Sequence, residues 1–251
     1  SGRYEFIAMN HSFHGRSMGA LSVTGTEQYR KPFEPLVEGV KFADYNDLES
    51  VKALLSDKTC AIILETVQGE GGIYPAETSF LEGLRALCDE QDILLIFDEI
   101  QCGMGRTGSM FAWQGYGVKP DIMTMAKAIG NGVPVGAFAM TKEVAEYSLE
   151  PGDHGTTYGG NPLACAAVAK TLELFEKYDL TAHVREIGAY LTEKLDELVA
   201  ANDAVLERRG IGLKEGLLII SAKGNVLRLV PPLVIEKEHV DEMLGILKKV
   251  L

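Results

Sequence analysis

The sequence predicts an α/β protein: a three-layer αβα unit on a mostly parallel sheet, followed by a small C-terminal α+β unit. Three observations carry that prediction. Short apolar runs rich in Ile, Val, Leu and Phe alternate with longer stretches of helical period. The run ILLIF lacks polar alternation, as expected of a strand covered on both faces. From about Tyr178 the composition turns amphipathic and charged, which marks a second unit.

In chain order, strands are expected over residues 4–9, 60–64, 93–97, 122–125 and 136–140, and helices over 47–55 and 79–90. In the second of these helices Phe80, Leu84 and Leu87 recur at i, i+4 and i+7 and define one buried face. A third helix, over 162–177, has the clearest start, with Asn161 as its cap and Pro162 in its first turn. Its small Ala residues allow close packing. The segment VREIGAYLTEKLDELVA is amphipathic, short strands are expected around LLIIS and VLRLV, and a last helix follows Pro232. The division falls between a large domain, 1–178, and a small one, 179–251. No internal repeat, low-complexity tract or Ser/Gly linker stands between them.

A chain of 251 residues, 46% of them hydrophobic, can bury a sizeable core, so disorder is not expected. No apolar run approaches the roughly 18–20 residues that span a bilayer. The excess of 36 acidic over 24 basic residues, net charge −12, argues against a general binder of nucleic-acid backbones. Cys60, Cys88, Cys102 and Cys165 form no CxxC pair, so neither a disulfide framework nor a zinc finger is expected, and a reducing cytoplasm is the expected location. The opening SGRYEFIAMN has neither the basic start nor the apolar core of a signal peptide, so secretion is not expected. It also lacks an initiator Met and reads as part of a longer protein.

Two strand ends carry the chemistry. DILLIFDEIQCGMGRTG sets Asp98, Glu99 and Gln101 at the C-terminal end of an expected buried strand, where open parallel sheets bind ligands. Taken alone, Asp98 reads equally well as a loop cap. KPDIMTMAKAIGNG leads from another expected strand straight into Lys127, which alone is more often a solvent-seeking side chain. An acid and an amine on adjacent strand ends are more specific. In pyridoxal phosphate chemistry a lysine condenses with the aldehyde, and an acid keeps the pyridine nitrogen protonated. HGTTYGGNPL adds two hydroxyls, Thr156 and Thr157, just before a helix whose N-terminus favours anions, a weak signal by itself. HSFHGRS offers Phe13 to stack on a planar ring and Arg16 to hold a carboxylate. The spacing of His11 and His14 has no third ligand cluster beside it, so no metal site is expected.

Taken together, FHGRS, LETVQGEGG, LIFDEIQCGMGRTG, KPDIMTMAKAIGNGVPVGA, HGTTYGGNPLAC and NVLRLVPPLVI, in this order, resemble the class III pyridoxal-phosphate-dependent aminotransferases. The resemblance covers nearly the whole chain. It implies the type I fold of pyridoxal phosphate transferases and a homodimer with a shared site. Lys127 stands where the family joins the cofactor to a lysine amine, and the same amine would move a proton between two substrate carbons. Asp98 would pair with the pyridinium nitrogen and Gln101 with the ring's phenolic oxygen, with Glu99 and Ile100 completing that cofactor-binding segment. Phe13 would stack on the ring. Thr157 matches the threonine that reaches the cofactor phosphate of the neighbouring subunit, and Thr156 takes a place on the substrate side usually held by serine. Arg16 and Arg228 would receive carboxylates, and Glu70 would close on Arg228 as a switch, unless it is simply a solvated loop acid. Glu65 is a weaker candidate.

The implied reaction passes the δ-amine of N-acetylornithine to the cofactor and then to 2-oxoglutarate, giving a semialdehyde and glutamate, a step of arginine biosynthesis. Proton transfer at carbon asks for a partly desolvated Lys127. Two departures from the family stand out. The family's N-terminal portion, with the Gly-Ser/Thr-rich turn that supplies most of the phosphate grip, is absent, and a strand and helix expected between RGIGL and EGLLIIS are missing near 213–214. The alternatives are an aminotransferase for ornithine, succinylornithine or a related ω-amine; an aminomutase or racemase on the same scaffold; and an inactive fragment that serves only as a dimerisation module.

Overall fold

The computed structural model describes residues 2–219 and 226–251. Among the described residues the strands are β1 (Glu5–Met9), β2 (Val40–Ala43), β3 (Thr59–Glu65), β4 (Val67–Gln68), β5 (Tyr74–Pro75), β6 (Leu94–Asp98), β7 (Ile122–Ala126), β8 (Gly136–Met140), β9 (Val205–Ile211), β10 (Lys214–Ile219) and β11 (Val226–Leu229). The helices are α1 (Met18–Ser22), α2 (Glu27–Arg30), α3 (Leu48–Leu54), α4 (Thr78–Gln91), α5 (Ala112–Tyr116), α6 (Lys142–Ser148), α7 (Pro162–Lys177), α8 (Leu180–Ala201) and α9 (Lys237–Val250). None of them is long and apolar enough to cross a membrane.

The six-stranded sheet has the order β2-β1-β3-β6-β7-β8. Every neighbouring pair in it runs parallel except β7 and β8. The chain is therefore mixed α/β with a mostly parallel sheet. Ile62 and Leu64 of β3 and Leu95 and Phe97 of β6 are fully buried, which explains why these strands read as unbroken apolar runs. On one face α3 and α4 close over the sheet, and Val51, Phe80, Leu81, Leu84 and Leu87 join Ile7, Ile62 and Phe97 in one core. Residues of β7 are only half-buried, and Gly136, Ala137 and Phe138 of β8 are exposed.

A three-stranded antiparallel sheet, β11-β10-β9, lies with α8 and α9 around a second core of Val184, Ile187, Leu191, Leu195, Leu213, Val240 and Leu244. Neither β2 nor β9 was expected. β2 is short and carries Lys41, while β9 (VLERRGI) interrupts its apolar residues with Glu207, Arg208 and Arg209; Arg208 pairs with Asp196 and Glu215, and Arg209 pairs with Glu207. At 211–214, where a missing strand and helix were expected, the chain turns back directly through Gly212 and Leu213, pairing Ile211 with Lys214. Gly212 has φ +64°, and Gly188 of α8 packs on it so closely that a Cβ there would lie 2.8 Å from the Gly212 Cα. The expected LLIIS strand is described as far as Ile219, its last two residues lying outside the described residues.

Arginine side chains bonded to backbone carbonyls join the two cores. Arg106 donates to the carbonyls of Leu213 and Pro231, and Arg185 donates to Gly108 O at 2.6 Å. Burial pushes the Arg106 guanidinium down to about 10. Phe175 of α7 and Leu233 meet Met104 and Ile129 in a small shared cluster.

Candidate active site

Where β1, β3, β6 and β7 end, their following residues enclose a cavity of about 230 Å³ lined by Phe13, His14, Gly15, Glu65, Asp98, Ile100, Gln101, Ala126 and Lys127. Parallel strands bring these residues together although they are up to 114 positions apart (13 to 127). A larger cleft of about 510 Å³ opens at the opposite strand ends, among Arg3, Arg85 and Asp121. Its charges are matched within the chain, since Arg85 pairs with Asp121 at 2.9 Å and with Asp89 at 2.7 Å. The smaller cavity holds the chemical groups.

Asp98, the last residue of β6, is buried, and both its oxygens accept. Oδ1 takes the Ile100 N–H at 3.0 Å, and Oδ2 lies 2.7 Å from His14 Nδ1. His14 is itself buried, and its Nε2 has no partner among the described residues. The sequence offered His14 only as half of a metal spacing, and its pairing with an acid 84 residues away had no local signal. No cluster of three or more metal-binding side chains occurs among the described residues.

Glu99, expected as part of the cofactor-binding segment, is not among the residues lining this cavity. Its buried carboxylate accepts the N–H groups of Ala112 and Trp113, both at 2.9 Å, at the start of α5. Burial pushes it upward, against those two bonds. Glu65, given less weight from sequence, lines the cavity and ties two loops by accepting Phe13 N–H at 3.1 Å and Gly69 N–H at 3.2 Å. Burial raises it, with His14 and Lys214 opposing. Lys214 is a buried amine that the sequence did not single out; it donates to Val67 O at 3.0 Å.

Lys127 follows β7 directly in a single 3₁₀ turn, with φ +50°. It is exposed, whereas proton transfer at carbon asks for a partly desolvated amine. Gln101 Nε2 lies 3.4 Å from Glu70 Oε1, and the same Glu70 oxygen accepts from Arg228 at 2.7 Å. Glu70 is thus not a free loop acid. Arg16 lies beside Phe13, with its guanidinium 5.6 Å from that ring's centroid. Thr156 and Thr157 sit in an exposed loop before α7 and do not line this chain's cavity. Asn161, as expected, caps α7 by accepting Ala164 N–H at 2.9 Å.

The Arg228 guanidinium holds the Glu70 carboxyl below the usual 4.5 of a glutamate, against a smaller opposing effect of burial. A lowered acid contributes its pairing above the unfolded value and loses it as pH falls through the lowered one. The contact is therefore expected to be fully present above pH 4.5 and to open only as the pH falls through the lowered value beneath it. In Arg228→Ala the Glu70 midpoint should move up, read by a carbon-detected NMR titration; an unmoved midpoint would mean that the pair does not form in solution.

An amine, a buried acid, an amide and an aromatic face converge on one small cavity. That donor set fits the ring end of pyridoxal phosphate: an aldehyde needs the amine, a ring cation needs a buried acid, and a flat face needs Phe13.

Compared with known proteins, the family described as aminotransferase class-III matches residues 1–214. The acetylornithine aminotransferase of Methanocaldococcus jannaschii is 45% identical over 264 residues, which cover 98% of this chain and 66% of that protein. That of Clostridium acetobutylicum is 48% identical, covering 98% of this chain and 68% of its own. Among solved structures, the ornithine aminotransferase of Toxoplasma gondii, described with partial occupancy of PLP at its active site, superposes with a TM-score of 0.89 at 30% identity, over 98% of this chain and 63% of that one. The chain spans about two thirds of the length of these relatives.

Proposed function

The chain belongs to the class-III aminotransferases, and from that membership we propose that it forms the greater part of a pyridoxal-phosphate-dependent enzyme that moves the δ-amine of N-acetylornithine to 2-oxoglutarate. The observation that carries the reading is the meeting of Lys127, Asp98 and Gln101 on one cavity. The relatives' shared specificity supports the choice of amine donor.

When bound, pyridoxal phosphate supplies an electron sink for the pair left behind as a proton leaves the substrate carbon. The chain's own groups do the rest. Lys127 is the catalytic residue: its amine would hold the cofactor and would carry the proton from one substrate carbon to the next. Asp98, held by His14 and the Ile100 N–H, offers a fixed negative charge to the ring nitrogen. Gln101 would donate to the ring oxygen, and Phe13 would cover a ring face, both lining the cavity. Arg16 holds a substrate carboxylate. Arg228 holds a second one when Glu70 releases it, so one site takes a substrate with a single carboxylate and then a dicarboxylic keto acid.

Thr157, and Thr156 beside it, are assigned to the phosphate and substrate side of a second copy's site. Their exposure away from this chain's own cavity supports a shared homodimeric site. A cytoplasmic location belongs to the same reading and is supported by four free cysteines.

The test is glutamate formation from N-acetylornithine and 2-oxoglutarate, with ornithine and succinylornithine as competing donors. Preference for N-acetylornithine is expected. Faster turnover of ornithine would move the assignment within the class, and repeated turnover of the amine without the keto acid, beyond one equivalent per site, would make the chain a mutase.

A further inference from the structure

Arg16 is exposed, yet no side chain or carbonyl among the described residues accepts a hydrogen bond from its guanidinium. What holds it is an aromatic face. Its Cζ lies 4.0 Å from the centroid of Tyr29, closer than the 5.6 Å to Phe13, and the two rings meet edge to face at 5.6 Å and 79°. A guanidinium donates in its own plane, so a ring against its face restrains it while leaving all five N–H groups for a ligand.

Tyr29 is fixed with respect to that loop by a set of backbone staples. Thr26 donates twice to Ser12 O, from N at 3.3 Å and from Oγ1 at 3.1 Å. Gly25 N donates to Ser12 Oγ at 2.9 Å, and His14 N donates to Thr24 Oγ1 at 2.9 Å. The two segments approach so closely that a Cβ on Gly25 would lie 2.0 Å from Met9 O, which only glycine avoids. Residues 12–16 and 24–29 therefore move as one piece. No hydrogen bond is made by the Tyr29 hydroxyl among the described residues, so the ring, not the oxygen, faces the task.

We propose that Tyr29 is a positioning residue for substrate binding, a shelf that presents the Arg16 guanidinium to the terminal carboxylate of an amino acid or dicarboxylic keto acid while bracing Phe13 at the cavity wall. This rests on the reading of Arg16 as a carboxylate receptor. The shelf fixes orientation before the ligand arrives, which reduces the ordering cost of binding.

The experiment measures equilibrium binding of glutarate, a dicarboxylate without amine or keto group, to the cofactor-loaded protein by calorimetry, alongside KM and kcat. Tyr29→Leu and Tyr29→Met, which remove the π face, are expected to weaken glutarate binding about threefold to tenfold and to raise KM with kcat nearly unchanged. Tyr29→Phe, which keeps the face, should stay within about twofold of the parent. Parent-like binding in both apolar variants would overturn the proposal, as would equal weakening in Tyr29→Phe. Arg16→Ala separates the two levels. If it weakens glutarate while the Tyr29 variants do not, the carboxylate reading stands and the shelf falls. If Arg16→Ala binds glutarate as the parent does, both fall.

Discussion

Lys127→Ala is expected to lower turnover by about 10⁴-fold or more, the upper end of what a positioned acid–base group supplies, because the same amine also anchors the cofactor. Stability should hardly change. Lys127 is exposed and pairs with no carboxylate among the described residues, and surface replacements away from caps and cores usually stay within about 0.5 kcal/mol. Its φ of +50° is no confounder, since alanine and lysine both carry a Cβ there. Loss of activity with an unchanged melting temperature would assign the effect to chemistry; activity within tenfold of the parent would remove Lys127 from the mechanism.

Asp98→Asn is expected to cost about 10²-fold to 10³-fold in kcat/KM and, unlike the lysine change, to destabilise the fold. The carboxylate accepts twice, from Ile100 N–H and from His14 Nδ1. An amide has one acceptor oxygen, so either one of the two bonds is lost or His14 must move its proton to Nε2, which is buried without a partner among the described residues. That mismatch costs about 1–3 kcal/mol. The activity loss follows because a neutral amide cannot stabilise a ring cation as a carboxylate does. Denaturant unfolding and steady-state rates check the two parts separately. A variant that keeps parental kcat/KM would show that Asp98 does not face the ring nitrogen.

Sequence made the strand ends legible because parallel strands in a covered sheet read as apolar runs; Asp98 closes β6, and Lys127 follows β7, which is apolar although only half-buried. Phe13 and Gln101 were reached through the motifs around those ends. The groups that escaped share one property: their roles depend on partners distant in the chain. His14 takes its meaning from Asp98, Lys214 from Val67, and Tyr29 from Arg16, none of which local periodicity encodes. Glu99 is a different case: adjacent to Asp98 in sequence, it bonds through its carboxylate to the N–H groups of Ala112 and Trp113 at the start of α5, which the motif gave no sign of. β9 was hidden because its charged residues are paired rather than solvated, which breaks the expected alternation without preventing a strand.

The central claim, that Lys127 and its cavity hold pyridoxal phosphate and accept an amine, is tested most directly by the absorption spectrum of the protein with added cofactor, before and after N-acetylornithine, with no keto acid present. The account predicts a protein-bound cofactor band that is absent in Lys127→Ala and is bleached by the amine in the parent. A band that persists in Lys127→Ala, or one that N-acetylornithine leaves unchanged, would contradict it.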